Sequence, residues 1–387
     1  MQRAFVDRPP FRVEHIGSLL RPSSLIRARE AFERQQITPA ELREIEDHSI
    51  VDAMRFQEGI GLRSITDGEF RRKTYFDDFV GRLNGISLNM PLSMFEGGGS
   101  EASPSDSATS AGSTSYSARL PPVSVAGIVG WSGPIMRADF DFVARHTSQV
   151  AKVTIPAPTQ IYHFAGRAGI SREAYPDVEQ FWSDVVAAYR RELSDLAAAG
   201  CRFVQIDETC LAKLCDPTVR DRMKERGDDW QALIATYARC LNDICRNLPL
   251  GLHLGIHLCR GNFQGRWEAE GGYENVADII FNGIAAETYF LEFDSPRAGS
   301  LDVLRHVPAG KLVVLGLVST KASAVETTDH IKRRVDEAAR YVPLERLAIS
   351  PQCGFAGVFK GHPLSVEDQR RKLEVLVKAA NEIWGVA

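Results

Sequence analysis

Residues 181–207 read FWSDVVAAYRRELSDLAAAGCRFVQID. From Phe181 to Ala199 the apolar residues recur at helical spacing, and Gly200 is a natural stop for that helix. Just beyond it, Phe203–Asp207 is a short, mostly apolar run that ends in an acid. A helix handing over to such a run reads as half of a β–α–β repeat, whose strands are covered on both faces.

The same rhythm recurs in both directions from this stretch. Val13–Ser18, Ser64–Asp67, Lys152–Ile155, Phe203–Asp207, Leu254–Leu258, Tyr289–Phe293, Leu312–Leu317 and Leu347–Ser350 all read as strands. Helical patterns lie between most of them. One runs from the Thr38-Pro39 cap to Gln57, one covers Trp230–Leu248 before Pro249, and one covers Thr327–Tyr341 before Pro343. Eight strands alternating with helices predict an α/β fold, a (β/α)8 TIM barrel in one domain over residues 1–387. Two stretches interrupt the rhythm. Val123–Gly130 reads as an extra strand, part of an antiparallel hairpin inserted between the second and third barrel strands. Residues 97–118, rich in Gly, Ser, Ala and Thr, lack the apolar surface that offsets ordering entropy and read as a mobile loop. A lid over the site is the other reading of that loop.

Composition excludes several classes. The chain has 387 residues, 44% hydrophobic and 25% charged, with a net charge of −4 and no basic stripe, which argues against nucleic acid as a partner. No apolar run approaches the ~20 residues that span a bilayer, and the start lacks a signal-peptide core. A cytoplasmic protein with no membrane partner is expected. Self-association as a homo-oligomer stays open. Of the seven cysteines, Cys201, Cys210, Cys215, Cys240 and Cys245 fit the role of small buried hydrophobes.

The chemical signal sits at strand ends. In His257-Leu258-Cys259 the imidazole and thiol share a face, because alternate residues of a strand point the same way. Cys353, in Ser350-Pro351-Gln352-Cys353-Gly354, closes another expected strand, and Glu292 closes a third. In a barrel such ends converge on the catalytic face. Nitrogen, two sulfurs and a carboxylate oxygen suit Zn2+. Read alone, His257 and Cys259 also fit a packed core pair, and Glu69 and Asp207 also fit helix caps or partners of Arg71 and Arg72.

Five segments carry a resemblance. They are His15-Ile16-Gly17-Ser18-Leu19-Leu20-Arg21-Pro22, Asp67-Gly68-Glu69-Phe70-Arg71-Arg72, Gln205-Ile206-Asp207-Glu208, His257-Leu258-Cys259-Arg260-Gly261-Asn262 and Ser350-Pro351-Gln352-Cys353-Gly354-Phe355. Together they resemble the cobalamin-independent methionine synthase family, most closely its short single-barrel members, which are related to epoxyalkane:coenzyme M transferase. The resemblance implies a zinc-dependent transferase with His257, Cys259, Glu292 and Cys353 as metal ligands. It also implies that Ser18, Glu69 and Asp207 hold an amino acid thiol, the two carboxylates facing its ammonium group.

The sequence departs from the larger relatives at two positions. Their proton-donating histidine follows the seventh strand, and its place in Leu315–Lys321 falls at Val318, with Ser319, Thr320 and Lys321 beside it. Their pterin-stacking tryptophan has no counterpart in Pro156–His163, which offers Tyr162 and His163 instead. His15 and His163 are the replacement acids that the sequence suggests. Three functions follow as expectations: methyl transfer from a folate or other donor to homocysteine or a related small thiol, opening of an epoxide by a thiol such as coenzyme M with Arg71, Arg72, Lys73 or Arg260 binding the sulfonate, or ligand binding without turnover.

Overall fold

The structure, a computed structural model, describes residues 9–89 and 123–385. Its strands are β1 (Ser64–Ile65), β2 (Asn84–Leu88), β3 (Val123–Gly130), β4 (Val150–Pro156), β5 (Phe203–Glu208), β6 (His253–Leu258), β7 (Thr288–Glu292), β8 (Leu312–Val318) and β9 (Leu347–Pro351). Seven of them form one parallel α/β sheet in the order β1-β4-β5-β6-β7-β8-β9. Each new strand adds beside the last, as in a TIM barrel. The runs are near-continuously apolar because both faces are covered. Val204, Ile206, Leu254, Ile256, Leu291 and Leu315 face the helices in the large core, while Phe203, Phe290, Val314, Ala348 and Ile16 pack as a separate cluster inside the curl.

The first expected strand differs. Val13–Ser18 makes one parallel bridge, Val13 to Ile349 of β9, with Glu14 N 2.9 Å from Ile349 O. Its other side meets β1 through side chains: Ser64 Oγ donates to Glu14 Oε2 at 2.6 Å and Thr66 Oγ1 to Gly17 O at 2.9 Å. Gly17 then turns the chain. Its φ is +126°, and a Cβ there would lie 2.5 Å from Thr154 Cγ2, so the chain cannot stay extended with a side chain present. The second expected strand is shortened to two residues because the Gln57 amide takes both backbone groups of Thr66, each at 2.9 Å.

Helix ends follow the sequence signals. Thr38 caps the Pro39–Gly59 helix in a reciprocal capping box with Glu41, and Asp177 caps Val178–Ala198. The strand at Val123–Gly130 pairs antiparallel with β2, Ile86 opposite Val125. Glu192 ties the chain after it to the Val178–Ala198 helix, accepting from Trp131 Nε1, Ile135 N and Met136 N. The loop expected over 97–118 lies outside the described residues. No described helix is long and apolar enough to cross a membrane.

Candidate metal and thiol site

β6 runs out at Leu258, so His257 and Cys259 emerge together at its C-terminal end. Cys353 follows β9 and arrives from across the mouth. One ligand atom from each of the three lies within 4.8 Å of the others. The two sulfurs are 3.5 Å apart. That is near the ~3.8 Å edge of a tetrahedron built on ~2.3 Å zinc–sulfur bonds. Both ring nitrogens of His257 are buried and lack a hydrogen-bond partner. Buried polar atoms of this kind are costly unless something fills the gap. The hydrogen bond from Cys353 holds the Cys259 thiol well below its ordinary value despite burial, with His257 adding to the effect, while the same bond and burial push Cys353 well up. Burial opposes charge on His257, but the Cys259 thiolate outweighs it and raises the ring. A Cys259 thiolate, a second sulfur beside it and an unpartnered imidazole fit a zinc-like cation.

Glu292 stands apart from this group. It ends β7 fully buried, and its carboxylate is taken by cations. Oε2 accepts from Arg260 N at 2.6 Å and lies 3.5 Å from Arg260 Nη1. Oε1 accepts from Arg297 Nη2 at 2.5 Å and from Lys321 Nζ at 3.3 Å. Burial raises the carboxyl, but Lys321, Arg297 and Arg260 together bring it down to about 2. The structure thus brings three of the four expected ligands together and parks the fourth on a cation cradle.

Beside the cysteines lie the expected thiol-binding residues. Ser18 O accepts from Phe355 N, just past Cys353. Asp207 is level with His257 in the sheet register. Gln205 Nε2 donates to Asp207 Oδ1 at 2.6 Å. Burial and the Glu69 charge push the Asp207 carboxyl up to about 7, against the pull of His257. Glu69 adopts a left-handed φ of +61°. Its Oε1 accepts from Thr154 Oγ1 at 2.7 Å, with Arg72 Nη1 at 3.6 Å, and its Oε2 is buried without a partner.

The other expected residues have the following surroundings. His15 lies level with the start of β1, its Nε2 3.2 Å from Ser64 O, and not at the mouth. Burial and the Lys152 charge bring its ring down to about 3, so it holds no proton to give at neutral pH. His163 neighbours Phe164 and Tyr237, and burial and Lys213 hold it well below its ordinary value. Val318 faces the outer core. Lys321, three residues on, is the residue of that loop that reaches the site. The four cations considered for a sulfonate each have partners within the protein: Arg71 has Asp47 and Asp139, Arg72 has Thr154 O and Glu69, Lys73 has Glu33, and Arg260 has Glu292, Gly271 O and Ala298 O, while Arg72 Nε and Nη1 are buried without a hydrogen bond. Sequence reasoning missed Arg297. The signal available was the Glu292-x-Asp294 pair, two acids that demand a cation once buried.

Residues 114–382 match the family described as cobalamin-independent synthase, catalytic domain. The chain belongs to the cobalamin-independent methionine synthase family. It is 34% identical to the uncharacterized protein YxjH of Bacillus subtilis, over 97% of this chain and 96% of the relative. A candidate vitamin-B12-independent methionine synthase from Listeria monocytogenes superposes with a TM-score of 0.75 at 30% identity, covering 98% of this chain and 99% of that one. A methionine synthase from Pyrococcus abyssi is 23% identical over 90% of this chain and 87% of its own length. These spans place the chain among cobalamin-independent methionine synthase relatives of similar length.

Proposed function

We propose that this chain is a zinc-dependent methyltransferase that methylates homocysteine or a related small amino thiol. One observation carries the reading: a buried His257–Cys259–Cys353 group with unpartnered imidazole nitrogens stands beside two carboxylates, one of which, Glu69, keeps a buried oxygen free. His257, Cys259 and Cys353 would hold the metal, with Glu292 as the exchangeable fourth ligand. Zinc, when bound, lets a substrate thiol lose its proton at neutral pH while its sulfur stays nucleophilic. The chain's own residues then position that thiol. Glu69 and Asp207 receive its ammonium group, and Ser18 lies at the turn beside Cys353. Arg260, Arg297 and Lys321 give Glu292 a place off the metal where its charge remains paired, so yielding its position strands no buried anion.

Arg260 is held by Glu292, Gly271 O and Ala298 O, while Arg72 keeps Nε and Nη1 buried without a hydrogen-bond partner. The free Glu69 oxygen favours an amino thiol, and the epoxide-opening reaction with coenzyme M is the alternative that the test separates. The test is zinc-loaded protein incubated with homocysteine, coenzyme M or glutathione, each crossed with methyl donors (methyltetrahydrofolate included) and epoxides, with products read by mass spectrometry. Methylated homocysteine is expected. Products confined to epoxide adducts, or no thioether from any pair, would overturn the proposal.

A further inference from the structure

Cys259 and Cys353 leave strands that are not neighbours. β7 and β8 stand between β6 and β9, and adjacent strands are ~4.8 Å apart, so the two chain ends start about 14 Å apart along the sheet. Curling of the sheet brings the ends towards each other, but something must hold the two turns so that their sulfurs meet at 3.5 Å.

The contacts that join the two turns form a closed triangle. Asn262, three residues after Cys259, donates from Nδ2 to Gly354 O at 2.8 Å and to Thr320 Oγ1 at 2.9 Å. Thr320 Oγ1 donates in turn to the same Gly354 O at 3.1 Å. Gly354 directly follows Cys353, and Thr320 comes from the intervening loop after β8. Both outer corners are anchored. Asn262 Oδ1 accepts from Gly265 N at 3.0 Å, and Thr320 N donates to Gln352 Oε1 at 2.6 Å. Gly354 admits no side chain: a Cβ there would lie 2.0 Å from Ser18 Oγ. Its carbonyl accepts from both donors. Thr320 is fully buried and Asn262 is 8% exposed, so water does not compete freely for these bonds. A satisfied network in such surroundings strengthens its members.

We infer that Asn262 and Thr320 are positioning residues that set the spacing of the Cys259 and Cys353 sulfurs. They touch neither sulfur. They act by tying the Cys259 turn, the β8 loop and the Cys353 turn into one unit. The inference rests on the zinc site proposed above, since the spacing matters to the ion that both sulfurs hold.

Thr320→Val keeps the shape of the side chain and removes its hydroxyl, while Thr320→Ser keeps the hydroxyl. Zinc affinity is measured by chelator competition on the full chain. Thr320→Val should bind zinc about 10- to 100-fold more weakly, the usual scale for groups that orient metal ligands from outside, and Thr320→Ser should recover most of the loss. Asn262→Ala removes the donor from the opposite corner and should weaken zinc by a similar factor, which keeps the question open to test if Thr320→Val does not accumulate. Wild-type affinity in folded Thr320→Val and Asn262→Ala would overturn the inference. So would a loss in Thr320→Ser equal to that in Thr320→Val. If the wild type takes up no zinc, the metal reading itself fails. The spacing is then read by titrating the two thiols of the reduced protein with phenylarsine oxide, which bridges paired sulfurs. The same ranking of variants is expected, and identical affinities across them would sink the positioning role.

Discussion

Cys259 and Cys353 serve a single purpose if they are ligands, because they sit at strand ends and contribute little to the large core. Their replacement should cost metal and leave the fold. Cys259→Ser and Cys353→Ser are each expected to lose about one zinc per chain by elemental analysis, with unchanged far-ultraviolet circular dichroism. Full zinc in the double variant would exclude the site. Glu69 permits a sharper question. Its free Oε2 is buried, and a hydrogen bond between charged groups is worth ~1.5–3 kcal/mol. Glu69→Gln should therefore raise KM for homocysteine roughly 10- to 100-fold and change that for a thiol without an amine very little. Equal effects on both thiols would show that Glu69 does not read the ammonium. Arg297 and Lys321 matter at this scale for another reason. They make Glu292 an anion with two homes, one on the proposed metal and one on cations already in place.

At the level of elements, β4 to β9 fall within a few residues of the runs read from the sequence. Burial on both faces writes itself as continuous Val, Ile, Leu and Phe. The ends of Val13–Ser18 and Ser64–Asp67 were not legible, since what cuts them short is non-local. Glu14, Ser64, Thr66 and Gln57 supply side-chain hydrogen bonds where a ladder would have continued. The site was legible to a similar depth. A period of two along β6 places His257 with Cys259, and the Glu292-x-Asp294 pair calls for a cation without saying that it is Arg297, but nothing local in the sequence tells that His15 sits level with the start of β1. Gln57 offers the test at this scale. Its amide satisfies Thr66 N and Thr66 O, and a buried backbone group left without a partner costs ~1–3 kcal/mol. Gln57→Leu should thus destabilise the protein by about 2–4 kcal/mol, read as a lower urea midpoint at unchanged slope. A midpoint within error of wild type would mean that the helix amide does not terminate β1.

Across the whole molecule, the interior of the curled sheet is not uniformly apolar, and this shapes its response to acid. Lys152 Nζ is wholly buried, 3.2 Å from Glu14 Oε2 and 2.6 Å from His15 O, and it stands 4.9 and 4.7 Å from the rings of Phe203 and Phe290. A second cation beside it is unwelcome, so burial and Lys152 together keep His15 neutral down to about 3. An unfolded histidine titrates near ~6.5. Between these two values the unfolded chain holds a proton at His15 that the folded chain refuses. The stability His15 contributes is therefore complete above about 6.5 and is lost as pH falls towards 3, at about 1.4 kcal/mol per pH unit. Burial of Asp207, held at about 7, and of Glu208 and Asp78, each at about 6, acts in the opposite direction over part of this range. The informative quantity is accordingly the difference between two proteins. Unfolding free energies from urea titrations at pH 6, 5 and 4 should fall more steeply for the wild type than for His15→Gln, whose amide can still donate to Ser64 O but carries no titrating charge. The expected difference in slope is about 1.4 kcal/mol per pH unit, and parallel curves would show that His15 accepts its proton as readily in the folded protein as in the unfolded chain.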